Sequence, residues 1–481
     1  MTPTRLFDCV EYQLQNTPKE DMFAAKIEGG IWKKYSTEEV KETVNKLSAG
    51  LINLNIGPND GSLEGRDKIA VLSNNRPEWL ILDLAVQQIG AVLTPIYPTI
   101  NVHELEYVLN DASVKLVFVS NQEMFDKVMS IRSNVPSVKA VFSFDAFQPA
   151  LHWKEILLKG TDKDMEMMNI LRAKVQPNDL CTIIYTSGTT GTPKGVMLTH
   201  HNILSNVMNS KEIFDPIVST PYERALSFLP LNHIFERMVS YIYMFSGCSI
   251  YYAESMDTIG DNLREVKPTV FSTVPRLLEK VYERIMNKGQ ELTGIKKKLF
   301  FWAVDLAQDF DINKSLTPWY SIQLSLANKI VFSKWREGLG GNVKAIVTGA
   351  ASCQVKLLRI FTAGKIVIME GYGLTETSPV ISVNRFDEKN RMFGTVGPLI
   401  QNVEVKIAED GEICARGENI MIGYYKQPEL TAEVIDKDGW FHTGDIGMFV
   451  DNKFLKITDR KKEIFKTSGG KYVAPQPIEN K

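Results

Sequence analysis

Residues 186–195, which read TSGTTGTPKG, combine the chemical groups that bind phosphate. Their glycines let the backbone approach a ligand closely, because no Cβ atom stands in the way. The Ser and Thr hydroxyls donate hydrogen bonds, and Lys194 adds a positive charge. Together with backbone N–H groups, these make a cradle for phosphates. The segment is not the loop GxxxxGK[ST], because Gly195 follows the lysine and no glycine directly precedes it.

A second candidate segment is GYGLTET, residues 371–377. Tyr372 between two glycines offers a flat face to a base, and Glu376 is an oxygen ligand suited to Mg²⁺ beside phosphates. The segment follows a short apolar run at residues 366–369 that predicts a strand. Because α/β folds bind ligands at the carboxyl ends of their strands, this is a suitable position for a binding site. A purely structural Gly-Tyr-Gly turn stays open as the alternative.

Two charged residues nearer the end of the chain suit a sugar. Asp445, in the segment WFHTGD, has the carboxylate needed to hydrogen-bond two sugar hydroxyls from a turn. Arg460, in the charged run that begins at Asp459, can meet a ribose or phosphate oxygen. The alternatives are an aspartate that caps its own turn and a solvated linker.

The elements around these residues predict an α/β fold with a largely parallel sheet. Ser36 with Glu39 predicts a capped helix, residues 68–72 a buried strand, and Pro77 the start of a further helix. A second strand–helix series begins with the strand CTIIY that precedes the phosphate segment. From about residue 395, short alternating runs separated by turns predict a small antiparallel β region.

Composition excludes several classes of protein. The 481 residues are 44% hydrophobic and 23% charged, which argues against disorder and against a disulfide scaffold. The net charge of -2 argues against a general nucleic-acid binder. No apolar run approaches the ~18–20 residues of a membrane span. The polar N-terminal segment predicts no secretory signal and therefore a cytoplasmic protein, and the five scattered cysteines predict free, mostly buried thiols.

Taken in order, the motifs TSGTTGTPKG, GYGLTET, WFHTGD and DRKKEIFKTSGGKYVAP resemble those of the adenylate-forming superfamily, which includes acyl-CoA synthetases, luciferases and peptide-synthetase adenylation domains. Residues 229–237, LPLNHIFER, resemble the long-chain fatty acyl-CoA synthetase form of their motif. The resemblance implies the large N-terminal domain of that fold. It would comprise two α/β subdomains with layered sheets and a small antiparallel β-barrel-like subdomain at about residues 395–456.

The resemblance also implies roles for individual residues. Thr186, Lys194, His233 and Glu376 would be catalytic, with Glu376 as the Mg²⁺ ligand. His233 would lie near the reacting carboxylate, although a packed imidazole is the alternative. Lys462 would be the hinge. The residues implied to contact the nucleotide are Thr186, Ser187, Gly188, Thr189, Thr190, Gly191, Lys194, Gly349, Ala350, Gly371, Tyr372, Gly373, Thr375, Asp445, Arg460 and Lys466.

The same resemblance implies a domain organisation. Residues 1–456 would form the large AMP-binding domain, 457–465 a hinge linker, and 466–481 the beginning of a further domain. In the family that domain carries a lysine that stabilises the adenylation transition state, and no residue here can be matched to it. We therefore expect a truncated chain that binds its ligands but is impaired in the complete reaction.

The implied activity is ATP-dependent activation of a long- or medium-chain fatty acid to an acyl-adenylate, followed by thioester formation with CoA. ATP, Mg²⁺ and CoA are the expected cofactors and co-substrates. Residues 241–245 could line an acyl tunnel or simply be core. Two other functions stay open, an enzyme that loads a carrier protein's thiol and a non-catalytic nucleotide-binding module. Fatty acid and CoA are the expected partners, with no nucleic acid. Peripheral membrane association through the lipid substrate is an open alternative, and the oligomeric state is not readable.

Overall fold

The structure is a computed structural model, and it describes residues 2–186, 192–461, 465–466 and 472–473, the last four by their backbone alone. No helix in these described ranges is both long and apolar enough to cross a membrane. The strands in chain order are β1 Phe23–Lys26, β2 Trp32–Tyr35, β3 Lys68–Leu72, β4 Val92–Ile96, β5 Leu116–Val119, β6 Ala140–Ser143, β7 Leu151–His152, β8 Leu180–Thr186, β9 Lys194–Thr199, β10 Arg224–Ser227, β11 Ser249–Tyr252, β12 Val270–Thr273, β13 Ala345–Thr348, β14 Val367–Gly373, β15 Val380–Val383, β16 Val403–Ile407, β17 Glu412–Gly417, β18 Gly423–Tyr424, β19 Phe441–Val450, β20 Phe454–Arg460, β21 Phe465–Lys466 and β22 Tyr472–Val473.

The helices follow the same order. They are α1 Asp8–Asn16, α2 Thr37–Asn53, α3 Pro77–Gln88, α4 Val102–Asp111, α5 Gln122–Ser130, α6 Lys154–Leu157, α7 Asp162–Lys174, α8 His200–Phe214, α9 Ile234–Phe245, α10 Ile259–Val266, α11 Pro275–Glu291, α12 Gly294–Gln308, α13 Pro318–Ala327, α14 Ser333–Gly338, α15 Val355–Ala363 and α16 Pro428–Val434. A π-helical turn, Asn328–Phe332, joins α13 to α14, and short 3-10 turns lie at Arg132–Asn134, Thr375–Thr377 and Glu388–Asn390.

The first sheet has the strand order β18-β9-β8-β4-β3-β5-β6-β7. Its strands from β8 to β7 run parallel, whereas β9 pairs antiparallel with β8 and carries β18 at the edge. Every residue of β3 and β4 is buried, as expected for strands covered on both faces. The predicted capping box is confirmed, because Ser36 Oγ accepts from the Glu39 N–H and the Glu39 carboxylate accepts from the Ser36 N–H.

The second sheet has the order β15-β14-β13-β12-β10-β11-β1-β2. Only its edge strands, β15 and β2, run antiparallel to their neighbours. Helix α3 contacts β4 of the first sheet and β1 of the second, so it lies between the two sheets. A third sheet, β16-β17-β19-β20, is entirely antiparallel and confirms the small antiparallel β region predicted from about residue 395. The predicted α/β fold class is thereby confirmed.

Three positions that the sequence assigned to loops or turns lie in strands. Lys194 is the first residue of β9, Gly371–Gly373 end β14, and Asp445 lies inside β19. Glycine and polar residues give little strand signal, but neighbouring strands satisfy their backbone groups: β15 pairs with the end of β14, and Asp445 pairs with Arg460 of β20. The charged run is therefore still strand at Arg460.

Candidate active site

A lysine, a tyrosine and a glutamate meet where β9 and β18 lie side by side. Lys194 Nζ donates to Tyr424 Oη over 2.6 Å, and Tyr424 Oη donates to Glu376 Oε1 over 2.8 Å. Lys194 Nζ also lies 3.3 Å from Glu376 Oε1. Burial and the Glu376 charge raise the pKa of Tyr424, so its hydroxyl keeps its proton and remains a donor. The structure thus brings the predicted cation and carboxylate together through a third residue.

The turn that carries Glu376 is fixed by the chain just before β18. The Met421 N–H donates to the Glu376 carbonyl oxygen over 2.8 Å, and Asn419 Nδ2 donates to the Thr377 carbonyl oxygen over 2.8 Å. Thr375, Glu376 and Thr377 are all buried. These backbone contacts fix the turn, and the Glu376 side chain lies beside Lys194 at the start of β9.

Tyr372 and Asp445 form a second polar pair. Tyr372 Oη donates to Asp445 Oδ2 over 2.6 Å, and Arg460 Nε lies 3.3 Å from Asp445 Oδ1. Burial raises the pKa of Asp445, while the Tyr372 hydroxyl and the Arg460 charge oppose that shift. The two residues that the sequence assigned to ribose are therefore adjacent, and Asp445 also accepts a hydrogen bond from the hydroxyl of Tyr372, the residue assigned to the base.

A cavity joins the remaining predicted residues. Its polar end is lined by His233, Gly349, Ala350 and the segment Gly371–Gly373. Its other end is apolar and lies between α8, α9 and the second sheet, where the lining residues are Ile213, Phe214, Met238, Val239, Ile242 and Val347. Among the described residues that line it, none is Asp, Glu, Lys or Arg.

His233 caps helix α9 and faces this cavity. Its Nδ1 accepts the Phe235 N–H over 3.2 Å, which assigns the ring proton to Nε2. Burial lowers the pKa of His233, so the ring is neutral at pH 7. Of residues 241–245, only Ile242 lines the cavity, while Tyr241 and Tyr243 are fully buried core residues.

Several predicted residues cannot be placed. Ser187, Gly188, Thr189, Thr190, Gly191 and Lys462 lie outside the described residues, and Lys466 is described only by its backbone in β21. Thr186 ends β8 directly opposite Lys194, and its buried hydroxyl has no hydrogen-bond partner within the described part of the chain. Thr375 starts the turn that bears Glu376.

Sequence reasoning missed Tyr424 and a buried ion pair. Arg237 Nε donates to Asp83 Oδ2 over 2.9 Å, and Arg237 Nη1 donates to Thr182 Oγ1 over 2.8 Å, so α9, α3 and β8 are tied together. Both side chains of the ion pair are fully buried. LPLNHIFER does contain Arg237, but nothing in the sequence links it to Asp83, and Tyr424 is 48 positions from Glu376.

Comparison with known proteins places this arrangement in a family. The family described as AMP-binding enzyme matches residues 10–425. The chain belongs to this family. It is 33% identical over 503 residues to long-chain-fatty-acid–CoA ligase 5 of Rattus norvegicus, which covers 98% of this chain and 68% of that relative. It is 36% identical over 436 residues to long-chain-fatty-acid–CoA ligase 1 of Homo sapiens, which covers 86% of this chain and 61% of that relative.

Solved structures of AMP-binding proteins share the fold. The crystal structure of the anthranilate CoA ligase AuaEII in complex with anthranoyl-AMP covers 100% of this chain and 81% of its own, with a TM-score of 0.73 and 17% identity. The inhibitor-bound N-terminal domain of FACL13 from Mycobacterium tuberculosis covers 95% of this chain and 99% of its own, with a TM-score of 0.67 and 18% identity. The predicted resemblance and its fold are thereby confirmed. Within the family, the chain groups with acyl-CoA synthetases, which are acid–thiol ligases.

The residues present fit ATP and Mg²⁺. The hydroxyl of Thr186, in the phosphate segment itself, has no hydrogen-bond partner among the described residues, and Glu376 offers a carboxylate next to a cation. A Cβ atom at Gly349 would make only an ordinary contact, 3.4 Å from the Gly371 carbonyl oxygen. At Gly373 it would lie 1.7 Å from the Pro379 carbonyl oxygen, so the close approach of these two segments requires glycine at position 373.

Proposed function

We propose that the chain binds ATP and a long- or medium-chain fatty acid and joins them into an acyl-adenylate with release of pyrophosphate. CoA would then accept the acyl group. The observation that carries the proposal is the cavity whose polar end meets His233, Gly349 and Tyr372 and whose other end is apolar. The cavity holds about 50 Å³, so it would contact only part of an adenylate at one end and the first carbons of a hydrocarbon chain at the other.

In this proposal each residue has a task set by its position. Tyr372 stacks on the adenine, and Asp445 accepts hydrogen bonds from the ribose hydroxyls. Lys194 and the Thr186 hydroxyl bind phosphate oxygens. Glu376 would hold Mg²⁺, which would supply positive charge against the phosphates that otherwise repel the incoming carboxylate. His233, neutral and with its proton on Nε2, donates a hydrogen bond toward the reacting carboxyl group.

The covalent steps follow from the phosphorus chemistry. A carboxylate oxygen forms a bond to the α-phosphorus of ATP, and the bond from that phosphorus to the bridging oxygen of pyrophosphate breaks. The sulfur of CoA then bonds to the acyl carbonyl carbon, and the bond from that carbon to the bridging oxygen breaks. AMP leaves with the bridging oxygen, and the thiol proton passes to solvent. The protein's contribution is to hold the reacting atoms together and to stabilise charge that develops on the phosphates.

The apolar end of the cavity supports an aliphatic acid over an amino acid. An α-ammonium group needs a carboxylate partner when it is buried, and none of the described lining residues supplies one. The curated relatives are named for long-chain fatty acids. The length of the chain that fits best is left to the experiment below.

The test is ATP–pyrophosphate exchange that depends on added acid, scanned from acetate to palmitate and including amino acids. We expect exchange with medium and long aliphatic acids, and a strong loss in Glu376→Gln with the thermal melting temperature retained. Faster exchange with an amino acid, or unchanged exchange in Glu376→Gln at saturating Mg²⁺, would contradict the proposal. Transfer to a carrier-protein thiol in preference to CoA would favour the carrier-loading alternative, and nucleotide binding without exchange would favour the non-catalytic module.

We also infer peripheral contact with a membrane surface, where a lipid-soluble substrate is found. Helix α13 and the π-helical turn expose a stripe of large apolar side chains, Trp319 (68% exposed), Ile322 (62%), Leu326 (48%) and Ile330 (38%). Exposed apolar stripes of this kind mark interaction surfaces. Co-sedimentation with anionic lipid vesicles should fall for Trp319→Ser/Ile322→Ser, and equal sedimentation of the parent and the variant would refute the assignment.

A further inference from the structure

A second and larger cavity lies on the other side of the second sheet. It holds about 810 Å³, which is within the usual range for ligand sites. Helices α10, α11, α12 and α14 and the sheet line it, and it opens to solvent. Much of its lining is apolar, with side chains such as Phe271, Ile285, Phe300 and Trp335. An interior of this size and polarity suits a hydrocarbon chain.

This cavity is separate from the candidate active site. Ile346 lines the large cavity, whereas Val347, the next residue of β13, lines the cavity near Tyr372. Successive side chains of a strand point to opposite faces of the sheet, so the sheet itself divides the two spaces. Among the described residues, none lines both cavities. The large cavity is therefore not part of the adenylate site.

The rim of the large cavity is strongly basic. Lys280, Arg284 and Lys288 follow one another at intervals of four residues along α11, so they lie on one side of that helix. Lys296 of α12 and Lys334 of α14 join them at the cavity. The rim cations without an ion-pair partner in the described part of the chain are Lys280, Arg284, Lys288, Lys296 and Lys334, whereas Arg264 at the same cavity pairs with Asp261.

The charge of the rim points to the head group of the ligand. Asp257 is the sole acidic residue among the described residues that line the cavity. Like charges held close together repel unless an anion lies between them, so several exposed cations from three helices favour a head group with more than one negative charge. An apolar interior and a polyanionic rim ligand together describe an amphiphile.

We propose that this cavity binds a single-chain amphiphile, with its acyl chain inside the cavity and a phosphate-bearing head group at the rim cations of α11, α12 and α14. Long-chain acyl-CoA and anionic lysophospholipid both have this chemistry. The site is independent of the proposed adenylation activity, because it shares no described lining residue with the adenylate cavity.

The test is calorimetric binding of palmitoyl-CoA below its micelle concentration, with the adenylate site saturated by a non-hydrolysable palmitoyl-adenylate mimic. We expect one further molecule to bind, and at least a tenfold loss of affinity in Lys280→Glu/Arg284→Glu/Lys288→Glu. A matched control makes the same charge change far from the cavity, at the exposed residues Lys139, Lys159 and Lys163, and should bind like the parent. Val281→Trp, which fills the interior, should also weaken binding while melting like the parent.

Further ligands separate the sources and the two parts of the site. Lysophosphatidic acid represents the anionic lysophospholipids, and palmitoyl-CoA represents the acyl-CoAs. Binding of either ligand supports the proposal, and the one that binds more tightly indicates which class the cavity prefers. Acetyl-CoA and neutral lysophosphatidylcholine should each bind at least tenfold more weakly. Two results would overturn the proposal. One is equal binding of palmitoyl-CoA by the triple variant and the parent, and the other is that palmitoyl-CoA no longer binds once the mimic occupies the adenylate site. If the mimic itself does not bind, the proposed function fails, and the rim variants still decide the fate of the second site.

Discussion

Substituting Lys194 by methionine removes the positive charge that the phosphate segment holds 3.3 Å from Glu376 Oε1. Methionine keeps the length and the apolar stem, so β9 and its pairing with Thr186 should survive. Glu376 keeps the hydrogen bond from Tyr424 Oη at 2.8 Å, so its carboxylate is not left without a donor. The change therefore tests the role of the ammonium rather than the integrity of the fold.

Two opposing effects set the size of the change. A hydrogen bond from an ammonium to a phosphate stabilises a complex by about 1.5–3 kcal/mol. Before ATP binds, however, Lys194 Nζ lies 3.3 Å from Glu376 Oε1, and the ligand must break this ion pair. The lysine side chain is 25% exposed, so the pair stabilises the unliganded state by roughly 1 kcal/mol. The net loss is then about 0.5–2 kcal/mol, or roughly a 2–30-fold rise in the Kd of Mg-ATP.

Isothermal titration with a non-hydrolysable ATP analogue and Mg²⁺ measures this Kd directly. The matched control is Lys456→Met, which removes the same charge from an exposed position in β20, and it should bind like the parent. A Kd for Lys194→Met within twofold of the parent, with the melting temperature preserved, would show that the ammonium does not contact phosphate, and the assignment of the segment would be wrong.

Three further expectations follow from the geometry. Asp445→Asn should weaken binding of AMP but not of 2′,3′-dideoxy-AMP in calorimetry, because only the former has the hydroxyls that Asp445 would accept from; equal losses would refute the ribose contact. Burial raises the pKa of Glu370 to about 8, so its stabilising contribution is complete below about pH 4.5 and lost as the pH rises through 8. Glu370→Gln should therefore flatten the fall in unfolding free energy between about pH 5 and pH 8.5 in urea titrations, whereas an unchanged slope would contradict this. Arg237→Met leaves the fully buried Asp83 carboxylate without its cation and should cost about 3–5 kcal/mol of unfolding free energy, partly recovered in the double variant with Asp83→Asn; a cost below about 1 kcal/mol would mean that the pair is not structural.

The sequence was enough to predict the α/β class and most of its elements. Hydrophobic runs such as residues 68–72, the capping box at Ser36 and Pro77 at the start of α3 are local signals, and each is confirmed where it was predicted. The phosphate segment and Glu376 were predictable for the same reason, because each lies in a short run of consecutive residues whose types together indicate its chemistry. Their roles toward ATP and Mg²⁺ stay predictions.

The contacts that join distant segments could not be predicted. Tyr424 reaches Glu376 and Lys194 only because β18 pairs with β9, and no local pattern encodes that pairing. The Arg237–Asp83 pair joins two helices that are 154 positions apart. Gly371–Gly373 and Asp445 were assigned to loops or a turn because glycine and polar residues have weak strand propensity, which neighbouring strands outweighed. The large cavity arises from the packing of four helices on a sheet, which depends on the whole fold.

The central claim is that one cavity binds an adenylate at its polar end and a fatty acyl chain at its apolar end. Its most direct test is calorimetry of the full chain with a non-hydrolysable palmitoyl-adenylate mimic, compared with the acetyl mimic and with Met238→Trp, which fills the apolar end near His233. We expect one molecule of the palmitoyl mimic to bind in competition with ATP. It should bind at least tenfold more tightly than the acetyl mimic, and that advantage should be lost in Met238→Trp. Equal affinity for the two mimics, or binding that ATP does not displace, would contradict the account.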